Sequence, residues 1–179
     1  SSGINAEYMG RKIQDFLLTA SECVNLLQKS TRGGNIALKL DIRKAFDTIY
    51  WNYISHILYE FGFNERFIQR IRALINSANI SILINGSSEG YFKCSRGVRQ
   101  GDPLSATISS ISEDYLSRLL LHMTVSGELK TIRAERGIYA PSHLLFANDL
   151  IIFTQGDKKN IKNLKKSLLH YEQVSVQEV

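Results

Sequence analysis

Three short stretches carry residue types whose spacing could do chemistry. In "KLDIRKAFD", Asp41 closes an alternating run, the pattern of a strand whose rigid end can hold a ligand accurately. The same aspartate could instead cap the turn into the next helix. In "SRGVRQGDPLSA", Gly97 and Gly101 bracket Val98, Arg99 and Gln100 just before a helix start. Glycines let a ligand approach the backbone, and a helix N-terminus attracts phosphate oxygens. Arg99 adds a cation and Gln100 an amide that both donates and accepts. An ordinary loop entering a helix reads the same way. In "HLLFANDLIIF", apolar runs flank Ala147, Asn148 and Asp149, so a rigid hairpin would aim its tip. A plain β-turn also favours Asn and Asp. Only one of the two polar tip residues is a carboxylate, which leaves open a metal site short of one charge.

The elements that must position these residues follow from periodicity. Ile13, Phe16, Leu17, Ala20, Val24 and Leu27 recur at helical spacing and predict an amphipathic helix, stopped by "TRGGN". "IALKLD" puts Ile36, Leu38 and Leu40 on one face of a strand ending at Asp41. Asp47 is expected to cap a second helix with Ile54, Leu58 and Phe61 inward and Gly62 as terminator. Asn64 should cap a third, carrying Phe67, Ile71, Leu74 and Ile75. "ISILING" and "YFKCS" predict a hairpin around "SSEG". Asp102 followed by Pro103 starts a long helix to about Met123, with Leu104, Ile108, Ile111, Tyr115 and Leu119 buried. Asp157 caps the last helix, with Ile161, Leu164, Leu168 and Tyr171 inward. Lys158, Lys159, Lys162, Lys165 and Lys166 fall on its other side, a solvated face or a nucleic-acid contact. Interleaved strands and helices, with most sheet pairs joined as hairpins, give an α+β domain with helices covering one face of a mainly antiparallel sheet.

Composition bounds the function class. The chain of 179 residues has 44% hydrophobic and 22% charged residues, an ordinary globular balance. A net charge of +5 and a pI near 9.2 suit nucleic acid without requiring it. Cys23 and Cys94 lie in no C-x-x-C pattern, and His56, His122, His143 and His170 are scattered, which disfavours zinc and a disulfide framework. No apolar run reaches the roughly 20 residues of a membrane span, and no signal peptide is visible, so an intracellular place, nucleus or cytoplasm, is expected.

Each stretch alone is weak, but their order is specific. A strand aspartate with an aromatic five residues on, then "RQGDPLS", then "FA-x-D" between apolar strands, resembles the reverse transcriptase domain of non-LTR (LINE-type) retrotransposons, particularly plant-like ones. "ASECVNLL" is similar to the family's fingers-to-palm helix. The resemblance covers nearly the whole chain. It implies an α+β reverse transcriptase palm, an antiparallel sheet backed by helices, with a partial fingers region and no thumb. Residues 1–35 would be the fingers/palm connecting region, and 36–179 the palm with a fingers-type insertion.

The resemblance also implies an RNA template, a DNA primer and deoxynucleoside triphosphates as partners, and two Mg²⁺ ions as cofactors. Asp41, Asn148 and Asp149 then stand at the catalytic positions. Asp41, the Ile42 carbonyl and Asp149 are the implied metal ligands. Phe46 matches the aromatic gate that excludes a ribose 2′-hydroxyl, and Arg99, Gln100 and Gly101 match the nucleotide-binding loop. Asn148 replaces the first aspartate of the family's "ADD", and Ala106 stands where proline is usual. A degenerate motif and missing fingers and thumb segments imply an impaired polymerase fragment, either a genomic relic or a domain excerpt. The alternative expectation is a non-catalytic nucleic-acid-binding remnant or decay product.

Overall fold

Period-two patterning makes the sheet. In β1 (Asn35–Asp41), Ile36, Leu38 and Leu40 are half-buried while Ala37, Lys39 and Asp41 face water. β4 (His143–Phe146) and β5 (Asp149–Gln155) pair antiparallel, from His143 opposite Ile152 to Phe146 opposite Asp149. The strand order is β1-β5-β4, so β5 is central. A central strand is covered on both faces, which is why Leu150, Ile152, Phe153 and Thr154 are all buried without alternation. The protein is described here from a computed structural model, which covers residues 13–29, 33–132, 140–146, 149–177 and 179. The hairpin tip, Ala147 and Asn148, lies outside the described residues, as do the side chains of 13–16 and Phe146.

The chain divides into two units. One gathers the described residues up to Leu40 with Leu120–Lys165, and the other holds Asp41–Leu119 with Lys166–Val179. In the first, Cys23, Ile132, Ala140, Leu144 and Phe153 form the core, with Ala20, Leu26, Leu27 and Ile151 packed against it. Helix α1 (Ile13–Leu27) packs through Ala20 and Leu27 as expected, but its face is turned towards Cys23 and Leu26, which leaves Leu17 61% and Val24 53% exposed. Small Cys23 and Ala20 permit close approach where branched residues would not. Burial pushes the Cys23 thiol up to about 11, so it stays protonated and unreactive.

Buried Asn160 ties this unit together. It accepts from the Lys130 N–H at 2.8 Å and donates to the Gln155 carbonyl at 2.7 Å and to the Thr154 hydroxyl. Asp157 caps the last helix as expected, accepting from the Asn160 N–H at 3.1 Å. His143, also buried, is pushed down to about 4 by loss of hydration, so it is neutral near pH 7.

The second unit packs helices around tyrosines. It holds α2 (Ala45–Thr48), α3 (Trp51–Glu60), α4 (Glu65–Asn76) and most of α5 (Pro103–Val125), and the end of α6 (Lys158–Ser175). The Tyr53 ring meets Tyr115 and Tyr171 edge-on at 6.1 and 6.3 Å, and the Tyr53 hydroxyl donates to the Ser112 carbonyl at 3.3 Å. Asn64 caps α4, accepting from the Phe67 N–H at 2.8 Å. Its buried face is Ile68, Ile71 and Ile75, while Leu74 is 57% exposed and Phe67 stacks on Phe63 near the surface.

Three further expectations are corrected. Asp47 does not cap α3: it lies within α2, and Tyr50 occupies the cap position with no side-chain bond. Ile49 takes an extended conformation (φ −57°, ψ 129°) that breaks one expected helix into two. Secondly, the hairpin of β2 (Asn79–Ile84) and β3 (Ser87–Lys93) turns at Asn85-Gly86, and "SSEG" lies within β3. Both turn residues have positive φ, 50° and 85°, the geometry that matches strand twist across a two-residue loop. Thirdly, the seam of α5 is rotated. Ser105, Ile108, Ser109, Ser112, Leu116 and Leu120 are buried, whereas Leu104, Ile111, Tyr115 and Leu119 are half-buried. Serines can line a core because their hydroxyls bond within the helix, as Ser112 does to the Ile108 carbonyl at 2.9 Å.

Candidate active site

Two of the three sequence stretches meet within the second unit. The Val98 N–H donates to the Phe46 carbonyl at 2.7 Å, and the Gly97 N–H donates to the Ile49 carbonyl at 2.8 Å. The Trp51 indole N–H closes the join by donating to the Gly97 carbonyl at 2.7 Å. Gly97 has φ +82°, and a Cβ there would stand 2.7 Å from the Asp47 carbonyl oxygen. Its glycine thus serves packing of chain on chain, not approach of a ligand. Gln100 reaches back to Asp47, donating at 3.4 Å, so a long hydrogen bond links the two blocks side chain to side chain.

Around this join the predicted residues divide by exposure. Ile42 is 1% exposed and anchors the start of the block, and Phe46 is half-buried. Arg99, Gln100 and Gly101 all face solvent. Gly101 has φ +83° with open space around it, so its need for glycine is conformational.

Sequence reasoning overlooked a cationic cavity of about 420 Å³ in the same unit. Arg43, Lys44, Thr48, Arg96, Glu172, Val176 and Gln177 line it. Its wall is fixed by a relay: Tyr171 donates to Gln177 at 2.7 Å, and Gln177 donates to the Ala45 carbonyl at 2.9 Å. Two wall residues, Lys44 (φ 50°) and Val176 (φ 60°), sit in the left-handed region that side chains rarely adopt. Lys44 lies inside "KAFD", so its place beside Phe46 offered a signal. Gln177 lies 132 positions from Ala45 and offered none.

The third stretch belongs to the other unit. Asp149, half-buried, opens β5, and its carboxylate pairs with the Lys39 ammonium at 3.0 Å. Lys39 projects from β1, the strand hydrogen-bonded to β5. Exposed Asp41 ends β1 and falls in the second unit. Asn148 lies outside the described residues. Among those residues no group of three His, Cys, Asp or Glu side chains could hold a metal ion.

The order of the blocks and the sheet between them find their match in known proteins. Residues 7–176 match the reverse transcriptase (RNA-dependent DNA polymerase) family. The chain belongs to that family. This reverse transcriptase domain is 30% identical over 145 residues to the uncharacterized protein of transposon TX1 from Xenopus laevis, covering 79% of the chain and 11% of that protein. It is 31% identical over 116 residues to the Pol polyprotein of the R2DM retrotransposable element of Drosophila melanogaster, covering 65% of the chain and 10% of the polyprotein. It is 40% identical over 67 residues to an uncharacterized mitochondrial protein of Arabidopsis thaliana, covering 37% of the chain and 55% of that protein. The first two of these relatives are non-LTR retrotransposon proteins, and the chain spans about a tenth of each.

Among solved structures, apo telomerase from Candida tropicalis, truncated from its C-terminal domain, superposes with a TM-score of 0.62 at 15% identity, over 94% of this chain and 34% of that one. Telomerase from the same organism in complex with a fragment of telomeric RNA gives 0.63 at 17% identity, over 91% and 27%. At such identities the likeness is one of fold: the α+β reverse transcriptase palm, antiparallel strands backed by helices.

Reverse transcriptases generally use divalent metal ions, so the residues present must be tested against that need. They fit poorly. A divalent cation wants several oxygen ligands with negative charge. Here Asp149 is neutralised by a lysine, and its neighbour in the sequence is an amide. Among the described residues, no helix is long and apolar enough to cross a membrane.

Proposed function

We propose that this chain is a retroelement RNA-directed DNA polymerase domain that retains its nucleotide-side scaffold and has lost most of its catalytic power. Its substrates by descent are an RNA template, a DNA primer and deoxynucleoside triphosphates. Phe46 acts as the gate against a 2′-hydroxyl, with Arg99, Gln100 and Gly101 as the loop along the nucleotide. Arg43, Lys44 and Arg96 supply the charge for its phosphates. Asp41, the Ile42 carbonyl and Asp149 are the remnants of a two-Mg²⁺ centre.

The Lys39–Asp149 pair carries the reading. An ammonium now holds the carboxylate that a dication should hold, and Asn148 brings an oxygen without a charge. At an effective dielectric of about 20, one unit charge a few ångströms from a dication is worth several kcal/mol. Losing about 3–6 kcal/mol of transition-state stabilisation costs roughly 10²–10⁴-fold in rate.

Titration with Mn²⁺, followed by calorimetry, tests this directly. The natural chain should bind weakly, and Asn148→Asp combined with Lys39→Ala should tighten binding at least tenfold. Tight two-ion binding by the natural chain, or primer extension equal to that of the double variant, defeats the proposal.

A further inference from the structure

The first nine residues of α6, "KKNIKNLKK", hold five exposed lysines, Lys158, Lys159, Lys162, Lys165 and Lys166. At 100° per residue they share the face opposite buried Asn160, Leu164 and Tyr171. That arrangement works against the helix itself. Lys158 and Lys159 sit at the positive end of the helix dipole, where cations are unfavourable, and no acidic residue occupies the first turn. Lys158–Lys162 and Lys162–Lys166 are like charges four apart, with further like pairs three apart. A merely solvated face would intersperse glutamates; here the sole acidic residue of α6 is Glu172. The cap residue Asp157 is already engaged by Lys130 at 3.1 Å.

Four of the five lysines, Lys158 to Lys165, share a unit with Asp149 and lie far from it. Asp149 begins β5, and α6 starts beyond the strand's other end, about 20 Å away along the strand by its rise per residue. Lysines 158 to 166 span about 12 Å of helix.

We propose that this stripe is an RNA-backbone grip, a surface that holds phosphodiesters of an RNA strand independently of the catalytic carboxylates. Charge complementarity specifies the partner: a ladder of point-like ammonium groups, without aromatic side chains among them, suits phosphates and not bases. The choice of RNA rests on the RNA-directed reading of the domain.

Anisotropy of a labelled single-stranded RNA of about 20 nucleotides, measured with the whole chain across a salt series, provides the test. Each phosphate contact contributes about 0.7 to the slope of log affinity against log salt. Changing all five lysines to glutamine should lower that slope by about 3 and weaken binding at low salt by more than tenfold. Changing them to arginine should preserve both, which separates charge from folding. Three observations each overturn the proposal: an unchanged slope in the glutamine variant, an equal loss when exposed Arg66 and Arg70 of α4 are changed instead, or tighter binding of duplex DNA than of RNA. The five-glutamine variant should keep the natural chain's Mn²⁺ affinity. Failure of the metal prediction and failure of the RNA grip are therefore distinguishable.

Discussion

The block around Phe46 and the strand end at Asp149 meet different fates under substitution. Around Phe46 the geometry is written in backbone: Val98 to Phe46, Gly97 to Ile49, and the Trp51 indole to Gly97. Backbone bonds survive most side-chain changes, so this join can persist while residues drift. At Asp149 the contact lies in side-chain charge: its carboxylate meets the Lys39 ammonium at 3.0 Å, and a substitution at either residue can remove that pair while leaving β5 in place. Scaffold and chemistry therefore need not fail together.

The two units differ in their response to protons as well. Glu113 is buried, accepts from Ser109 at 3.1 Å, and is raised to about 7 by loss of hydration. The folded protein then holds a proton that the unfolded chain releases between about 4.5 and 7, so this group's contribution falls as pH rises across that window. His143 has the opposite sign. Its folded value near 4 lies below the ordinary 6.5, so stability is lost as pH falls from about 6.5 towards 4.

The sharpest way to break the comparison is Gly97→Val. It forces a branched side chain onto the Asp47 carbonyl at φ +82° and should cost about 3 kcal/mol or more, read by urea unfolding of Trp51 fluorescence. A cost under about 1 kcal/mol shows that the join is soft. Glu113→Gln should flatten the decline in stability between pH 4.5 and 7, an effect on the order of 2 kcal/mol at pH 7. His143→Gln should leave that decline and remove part of the acid loss; if both variants flatten the same limb, the assignment of opposite signs is wrong. Val176→Gly relieves a β-branched residue at φ 60° and should stabilise by about 1 kcal/mol, seen as a Tm rise of a few degrees. Lys39→Ala is the mildest: stability should scarcely change, because the pair is solvent-exposed, while Mn²⁺ affinity rises a few-fold.

Much of the local structure was legible before any coordinates. The alternation of β1, the Asn64 and Asp157 caps, the Asp102-Pro103 start and the terminator Gly62 all depend on neighbours within four residues. Asn85-Gly86 was equally legible as a turn, and reading "SSEG" in its place overlooked the pair that tolerates two positive φ values. The face of α1 was legible only in part: Ala20 and Leu27 pack as expected, but Leu17 and Val24, which are exposed, are as apolar as the residues that are buried. Which stripe packs depends on what lies opposite, and Cys23 fits that space better. The roles of Asn160, Gln177 and Gly97 were hidden for a related reason: each acts on a backbone group brought near only by folding.

By itself the sequence determined the family, the order of the blocks and the amide at position 148, since residue types in order are all that these require. Tertiary structure alone decided that "KAFD" and "RGVRQG" lock together through the backbone, and that Lys39 faces Asp149 across neighbouring strands. Such pairings join residues separated by about 50 and 110 positions, a distance over which no local propensity acts and only packing chooses the partner.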